Sequence, residues 1–124
     1  MNKVPNDTID PLFDSICKLM EEQQLFLRSR LRLSDIAAQL GVNSRYVSNS
    51  IKNHRGCPFS QFVNGYRIEY VKQQLLDFPD KKIAAIALES GFDNEISFYR
   101  TFKNFTGMTP REWLAKASKS DWDE

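Results

Sequence analysis

Ile83 to Trp113 reads IAAIALESGFDNEISFYRTFKNFTGMTPREW, and this stretch decides the fold. Ile83, Ile86 and Ala87 recur at helical spacing, and Gly91 follows as the residue that reaches positive φ without a Cβ penalty, so it ends the helix. Asn94 is then placed to N-cap a second helix, on which Phe98, Phe102 and Phe105 recur at i, i+4 and i+7 and predict a buried face. Glu95, Tyr99, Arg100 and Lys103 fall on the other side. A helix, a glycine turn and a second helix with an apolar inner face and a hydrogen-bonding outer face form a helix-turn-helix of the kind that reads DNA.

The same unit occurs once more, upstream. From Leu33 a helix carries Ile36, Ala37 and Leu40 on one face with Gly41 just beyond, and Asn43 is positioned to cap a helix to about Asn53 with Tyr46, Val47 and Ile51 inward. Ile36-Ala37 and Gly41 recur as Ile86-Ala87 and Gly91 at a shift of 50, and Ile51-Lys52 and Gly56 recur as Phe102-Lys103 and Gly107 at a shift of 51. The extra residue falls in the second turn, where GVN becomes GFDN. Core packing alone does not require the apolar pair, the turn glycine, the cap and the terminal lysine to repeat together.

Between the two units, Pro58 opens a long helix with Phe59, Phe62, Val63, Tyr66, Tyr70, Val71, Leu75 and Leu76, apolar over more than one face, as a helix packing against both units must be. Pro58 to Leu76 spans roughly 28 Å at 1.5 Å per residue, a little under the ~34 Å of one DNA turn. Such a spacer is expected to set two reading helices against successive major-groove segments and to bend the duplex modestly toward the protein, at an elastic cost.

Outside this frame, Met1 to Asn6 reads as a frayed polar leader. Asp10-Pro11 supplies a cap and a first-position proline for a brace helix with Phe13, Ile16, Cys17 and Met20 inward, ending near Glu22. Gln23 to Arg32, QQLFLRSRLR, reads as a connection with an extended character; its Arg28, Arg30 and Arg32 are either phosphate contacts or solvated charge. Thr109, Pro110 and Glu112 form a capping box for a last helix, packed back by Trp113 and Leu114. The expected fold is all-α, with two helix-turn-helix subdomains joined by a long linker helix and about seven helices. Its parts are 1–32 brace helix and connection, 33–57 first helix-turn-helix, 58–77 linker helix, 82–117 second helix-turn-helix and C-terminal helix, and 118–124 a disordered tail.

Composition narrows the function. With 124 residues and 41% hydrophobic content there is enough for one domain's core and hardly for two. A net charge of +1 excludes a bulk basic coat, so any nucleic-acid contact must rest on local charge: residues 26–56 sum to +5 and residues 81–111 to +2, while the three flanking blocks are acidic. Cys17 and Cys57 form no CxxC and sit among apolar neighbours, which reads as small core residues of a reducing compartment. No metal, no cofactor and no membrane partner are expected, and a cytoplasmic location is. An enzyme is not expected either: His54 is the only histidine, read as exposed at a helix end, and there is no Gly-rich phosphate loop.

The run IA…GF……F…FK…G.TP, together with IAAQLGVNSRYVSNSIK, Tyr66-Arg67-Ile68 and Leu75-Leu76, resembles the DNA-binding domain of the AraC/XylS family of bacterial transcription regulators over about residues 33 to 114. The resemblance implies a domain that binds double-stranded promoter DNA and touches RNA polymerase, usually as an activator. In this family a further domain senses a ligand or a phosphorylation signal. As this chain a monomer is expected, with dimerisation through a regulatory domain that residues 1–32 are too short to form. By the same similarity Arg67 is structural rather than a phosphate contact. Ile51 stands where the family commonly has Phe, Trp113-Leu114 replaces a common Tyr-Arg pair, and Ile96 stands where a polar residue is more frequent.

Helix geometry and groove chemistry give the site. On the first reading helix Arg45, Ser48 and Asn49 face away from Val47 and Ile51; Arg45 suits guanine O6/N7 and Asn49 adenine N6/N7. On the second, Glu95, Ile96, Tyr99 and Arg100 take the corresponding face. Glu95 only accepts and favours cytosine N4 or adenine N6, and Arg100 is the better guanine reader. Ile96 either meets a thymine methyl or packs locally. Lys52 and Lys103, at the matching helix ends, are phosphate contacts that position without specifying. The alternative function is a helical protein-interaction module without direct DNA readout, with Ile96 and Tyr99 as anchors.

Overall fold

The structure, a computed structural model, describes residues 10–122, with side chains as far as Ser118. The predicted leader from Met1 to Asn6 lies outside the described residues. Among the described residues there are seven α-helices and one short 3₁₀ turn, with no strand, in keeping with the all-α expectation. The helices are α1 (Pro11–Gln23), α2 (Leu33–Leu40), α3 (Ser44–Arg55), α4 (Phe59–Asp77), α5 (Ile83–Glu89), α6 (Glu95–Thr106) and α7 (Pro110–Trp122). By packing, the described residues divide into two units, one holding residues 10–25 and 31–63, the other 26–30 and 64–122.

In the first unit α1 starts as its sequence requires. Pro11 occupies the first turn and Asp10 Oδ1 accepts from the Phe13 N–H at 3.1 Å, satisfying a donor that has no partner inside the helix. Phe13, Ile16, Leu19 and Met20 of α1 are buried, as are Ile36 and Ala37 of α2, Val47 and Ile51 of α3, and Phe62 and Val63 of α4. Each such aliphatic side chain contributes roughly 1.5–3 kcal/mol on leaving water. Tyr46, expected inward, is 62% exposed; Ser50 is buried in its place. The reason is helical period: Val47, Ser50, Ile51 and His54 make one i, i+3, i+4, i+7 stripe, and Tyr46 lies off it.

The second unit is built on Ile68, Val71 and Leu75 of α4, Ile86 and Ala87 of α5, Phe92 of the turn and Phe98 and Phe102 of α6. Trp113 and Leu114 pack α7 against this core as expected, with the Trp113 ring edge-on to Phe102 at 6.3 Å. Thr109 and Glu112 make both bonds of the capping box, at 3.2 and 2.9 Å. Phe105, expected inside, is 42% exposed: it lies in the last turn of α6, and one edge of its ring rests where a Cβ on Gly65 would stand 3.6 Å away. Leu76 is exposed as well, and Ile68, outside the expected apolar set of α4, is buried alongside Val71 and Leu75.

Three further expectations are corrected. Gln23 to Arg32 is not extended: Leu25–Leu27 forms a 3₁₀ turn with Leu25 and Phe26 buried, and the Phe26 ring stacks on Tyr66 at 5.8 Å and meets Tyr70 edge-on at 5.7 Å. The alternation of Leu and Arg hides Phe26, the one aromatic that fastens the segment. Cys17 and Cys57 are half-buried rather than core residues. Finally, α7 continues from Ser118 to Trp122 where a disordered tail is expected, led in by the helix-favouring run Ala115-Lys116-Ala117.

Candidate nucleic-acid interface

Both repeats are closed by the same backbone bonds. In the first turn the Val42 N–H donates to Ala37 O at 3.1 Å, and in the second the Phe92 N–H donates to Ala87 O at 3.2 Å. Asn43 Oδ1 accepts from the Arg45 N–H and Asn94 Oδ1 from the Ser97 N–H, each at 2.8 Å. At the far ends Gly56 and Gly107 return their N–H groups to Lys52 O and Lys103 O at 2.8 and 2.7 Å. Sequence repetition at shifts of 50 and 51 is therefore repetition of the turn, the cap and the stop.

Besides the inserted residue, the turns differ at their glycines. Gly41 has φ 68° and open space where a Cβ would be, so it is required only for its left-handed backbone. Gly91 has φ 99° and, in addition, a Cβ there would stand 2.4 Å from Phe26 O and 2.7 Å from Arg67 Nε. Arg67 explains the crowding: Nε donates to Phe26 O and Nη2 to Arg28 O, both at 2.7 Å, Nη1 donates to Asn64 Oδ1 at 3.1 Å, and the guanidinium lies 5.8 Å over the Phe92 ring. Burial pushes its pKa down, with Asp93 opposing. Arg67 is thus a structural hub tying the Phe26–Arg28 segment to the second turn.

What the two helices leave outside matches from copy to copy. On α3, Arg45, Asn49 and Lys52 are exposed and Ser48 is half-buried; on α6, Glu95, Ile96, Arg100 and Lys103 are exposed, and Tyr99 is 41% exposed with its ring tilted against Phe98. Arg45, Ser48, Asn49 and Lys52 correspond to Ile96, Tyr99, Arg100 and Lys103 at the shift of 51. Arg45, Asn49, Lys52, Arg100 and Lys103 have no hydrogen-bond or ion-pair partner for their side chains among the described residues. Ile96 is 72% exposed. Tyr46, not among the sequence-predicted site residues, adds an exposed aromatic ring beside Arg45.

His54 is the main correction. It is not an exposed helix-end residue: its side chain retains 19% of its surface, its ring stacks on Phe13 at 4.4 Å with an interplanar angle of 15°, and Nε2 lies 2.7 Å from Asp10 Oδ2. Ser50 Oγ donates to the same oxygen at 3.2 Å. Partial burial pushes the Asp10 carboxyl up, but the bonds from the Phe13 N–H, His54 and Ser50, with the imidazole's charge, hold it below its ordinary range. The legible signal was polar residues at positions 50 and 54 on a stripe otherwise apolar. Groups of three or more His, Cys, Asp or Glu able to hold a metal are absent among the described residues.

A helix-turn-helix domain family matches residues 36–116 of this chain. The chain belongs to the AraC-type helix-turn-helix family. A transcriptional regulator of the AraC type from Chromobacterium violaceum, named for its DNA-binding domain, matches with 30% identity and a TM-score of 0.74, over 86% of this chain and 91% of that one. The C-terminal domain of AraT, a response regulator from Geobacillus stearothermophilus, matches with 27% identity and a TM-score of 0.78, over 88% of each. An HTH-type transcriptional regulator of Staphylococcus aureus strain MSSA476 is 33% identical over 100 residues, 81% of this chain. This AraC-type domain spans 13% of the length of that relative. None of its described helices is long and apolar enough to cross a membrane.

Proposed function

We propose that this domain binds double-stranded promoter DNA sequence-specifically and serves transcription regulation, with α3 and α6 each entering a major-groove segment. The observation that carries the reading is the duplicated helix whose outer face is exposed and unpartnered at matching positions, in a chain of the AraC-type family. Arg45 and Arg100 are the guanine readers and Asn49 the adenine reader, each bidentate pair worth roughly 1–3 kcal/mol of discrimination. Glu95 selects cytosine or adenine amino groups, Ile96 meets a thymine methyl, and Ser48 and Tyr99 complete the two faces. Lys52 and Lys103 hold phosphates. The finer reading is an activator that touches RNA polymerase in the bacterial cytoplasm and dimerises through another domain.

Selection of sites from a random duplex library at two salt concentrations tests this, with Arg45→Ala and Arg100→Ala in parallel. A site of two elements about one turn apart is expected, each variant relaxing a different element. Absence of any enriched sequence at low salt overturns the reading. The exposed Ile96 and Tyr46 favour one competitor, a protein-interaction surface, whose binding would persist as salt rises.

A further inference from the structure

One carboxylate serves two helices. Asp10 Oδ1 caps α1 through the Phe13 N–H, while Oδ2 takes the Ser50 hydroxyl and the His54 imidazole of α3 at 3.2 and 2.7 Å. A carboxylate only accepts, so Nε2 carries the proton of the His54 bond. Ser50 and His54 are one turn apart on the side of α3 that bears Val47 and Ile51, and Arg45, Asn49 and Lys52 project from the opposite side. Phe13, stacked on His54, lies 4.9 Å beneath the Arg55 guanidinium, so α1 grips the C-terminal half of α3 from residue 50 to residue 55.

Apolar burial of Val47 and Ile51 holds α3 against the core but is non-directional, leaving rotation and sliding soft. Two hydrogen bonds to one oxygen, one turn apart, are directional and fix both. On a helix roughly 5 Å in radius with its side chains, a rotation of about 20° moves a tip by about 1.7 Å. That displacement breaks a bidentate contact with a base edge.

We propose that Asp10 is a positioning residue for DNA reading, setting through Ser50 and His54 the rotation at which α3 presents Arg45 and Asn49. The inference rests on the reading of α3 as a base-contacting helix.

Asp10→Ser tests it in the full chain. Serine caps a helix about as well as aspartate, so α1 keeps its cap, but its shorter side chain does not reach Ser50 or His54. Binding is measured to the selected duplex and to its single-base variants, at a temperature where circular dichroism shows the variant folded. Base discrimination is expected to fall about tenfold in the element that Arg45→Ala relaxes, and to stay unchanged in the element that Arg100→Ala relaxes. Ile36→Val, a core change lowering the melting temperature without touching the Asp10 bonds, leaves both elements as they are. In a Ser50→Ala/His54→Phe background, where the ring stack remains but the partners are gone, Asp10→Ser adds no further loss. Wild-type discrimination in Asp10→Ser, or equal loss in both elements, overturns the proposal while Arg45→Ala still acts. If Arg45→Ala itself changes nothing, α3 does not read bases and the positioning role falls with it.

Discussion

At the scale of single residues, the two turn glycines separate backbone strain from steric exclusion. Gly41 lacks neighbours where a Cβ would be, so Gly41→Ala incurs only the left-handed backbone penalty, about 1–2 kcal/mol. Gly91→Ala incurs that penalty and also drives a methyl into Phe26 O and Arg67 Nε, at 2.4 and 2.7 Å, so the hub must open. Its expected loss of stability is about 3 kcal/mol or more, and urea unfolding of both variants checks it; equal losses would show that the second turn relaxes freely. Ile96 makes the opposite case. A 72% exposed isoleucine has little packing to lose, so Ile96→Ala should change stability by no more than about 0.5 kcal/mol while weakening binding to a site with thymine at the contacted position. Unchanged affinity for that site would remove Ile96 from the reading face.

At the scale of elements, α1 is attached to α3 by an ion-dependent bond. Asp10 is held below the carboxylate value of 3.8, so its contribution to stability is fully present above that unfolded value and is lost as pH falls through the lower folded value. Wild-type protein is therefore expected to lose stability on acidification below about pH 4 more steeply than Asp10→Ser, whose cap does not titrate; parallel acid unfolding curves would contradict this. The bond also marks where sequence reading stops. Periodicity located α2, α3, α5 and α6, and the Asn and Gly signals located their ends, because caps and stops are local chemistry. Ser50 rather than Tyr46 is inward because Val47 and Ile51 alone leave the centre of the stripe free to rotate toward either neighbour. Phe26 escaped among leucines and arginines, and His54 was misplaced, because the partners that bury them, Arg67 with Tyr66 and Asp10 with Phe13, lie about 40 residues away in sequence. The outer faces could be read because exposure follows from the inner ones; the bases they meet depend on DNA.

At the scale of the whole molecule, a net charge of +1 and the proposed DNA binding are reconciled only if a few placed cations carry the affinity. Each phosphate neutralised releases condensed counterions, so log K falls with log salt at a slope of about −0.9 per phosphate. Lys52 and Lys103 stand at matching ends of α3 and α6, exposed and without an ion-pair partner among the described residues. Lys52→Ala and Lys103→Ala should each lower affinity about equally for all sequences and flatten the salt slope by about one unit, and the double variant by about two. Arg45→Ala should do the reverse, relaxing base preference at one position with a smaller change in slope. The measurement is Kd against salt for wild type and the three variants on selected and random duplexes. A slope unmoved by either lysine would place the phosphate contacts on other cations, with the loop arginines Arg28, Arg30 and Arg32 the next to substitute. A wild-type slope near zero would mean that binding releases few ions, and the exposed faces of α3 and α6 would then be surfaces for protein rather than for DNA.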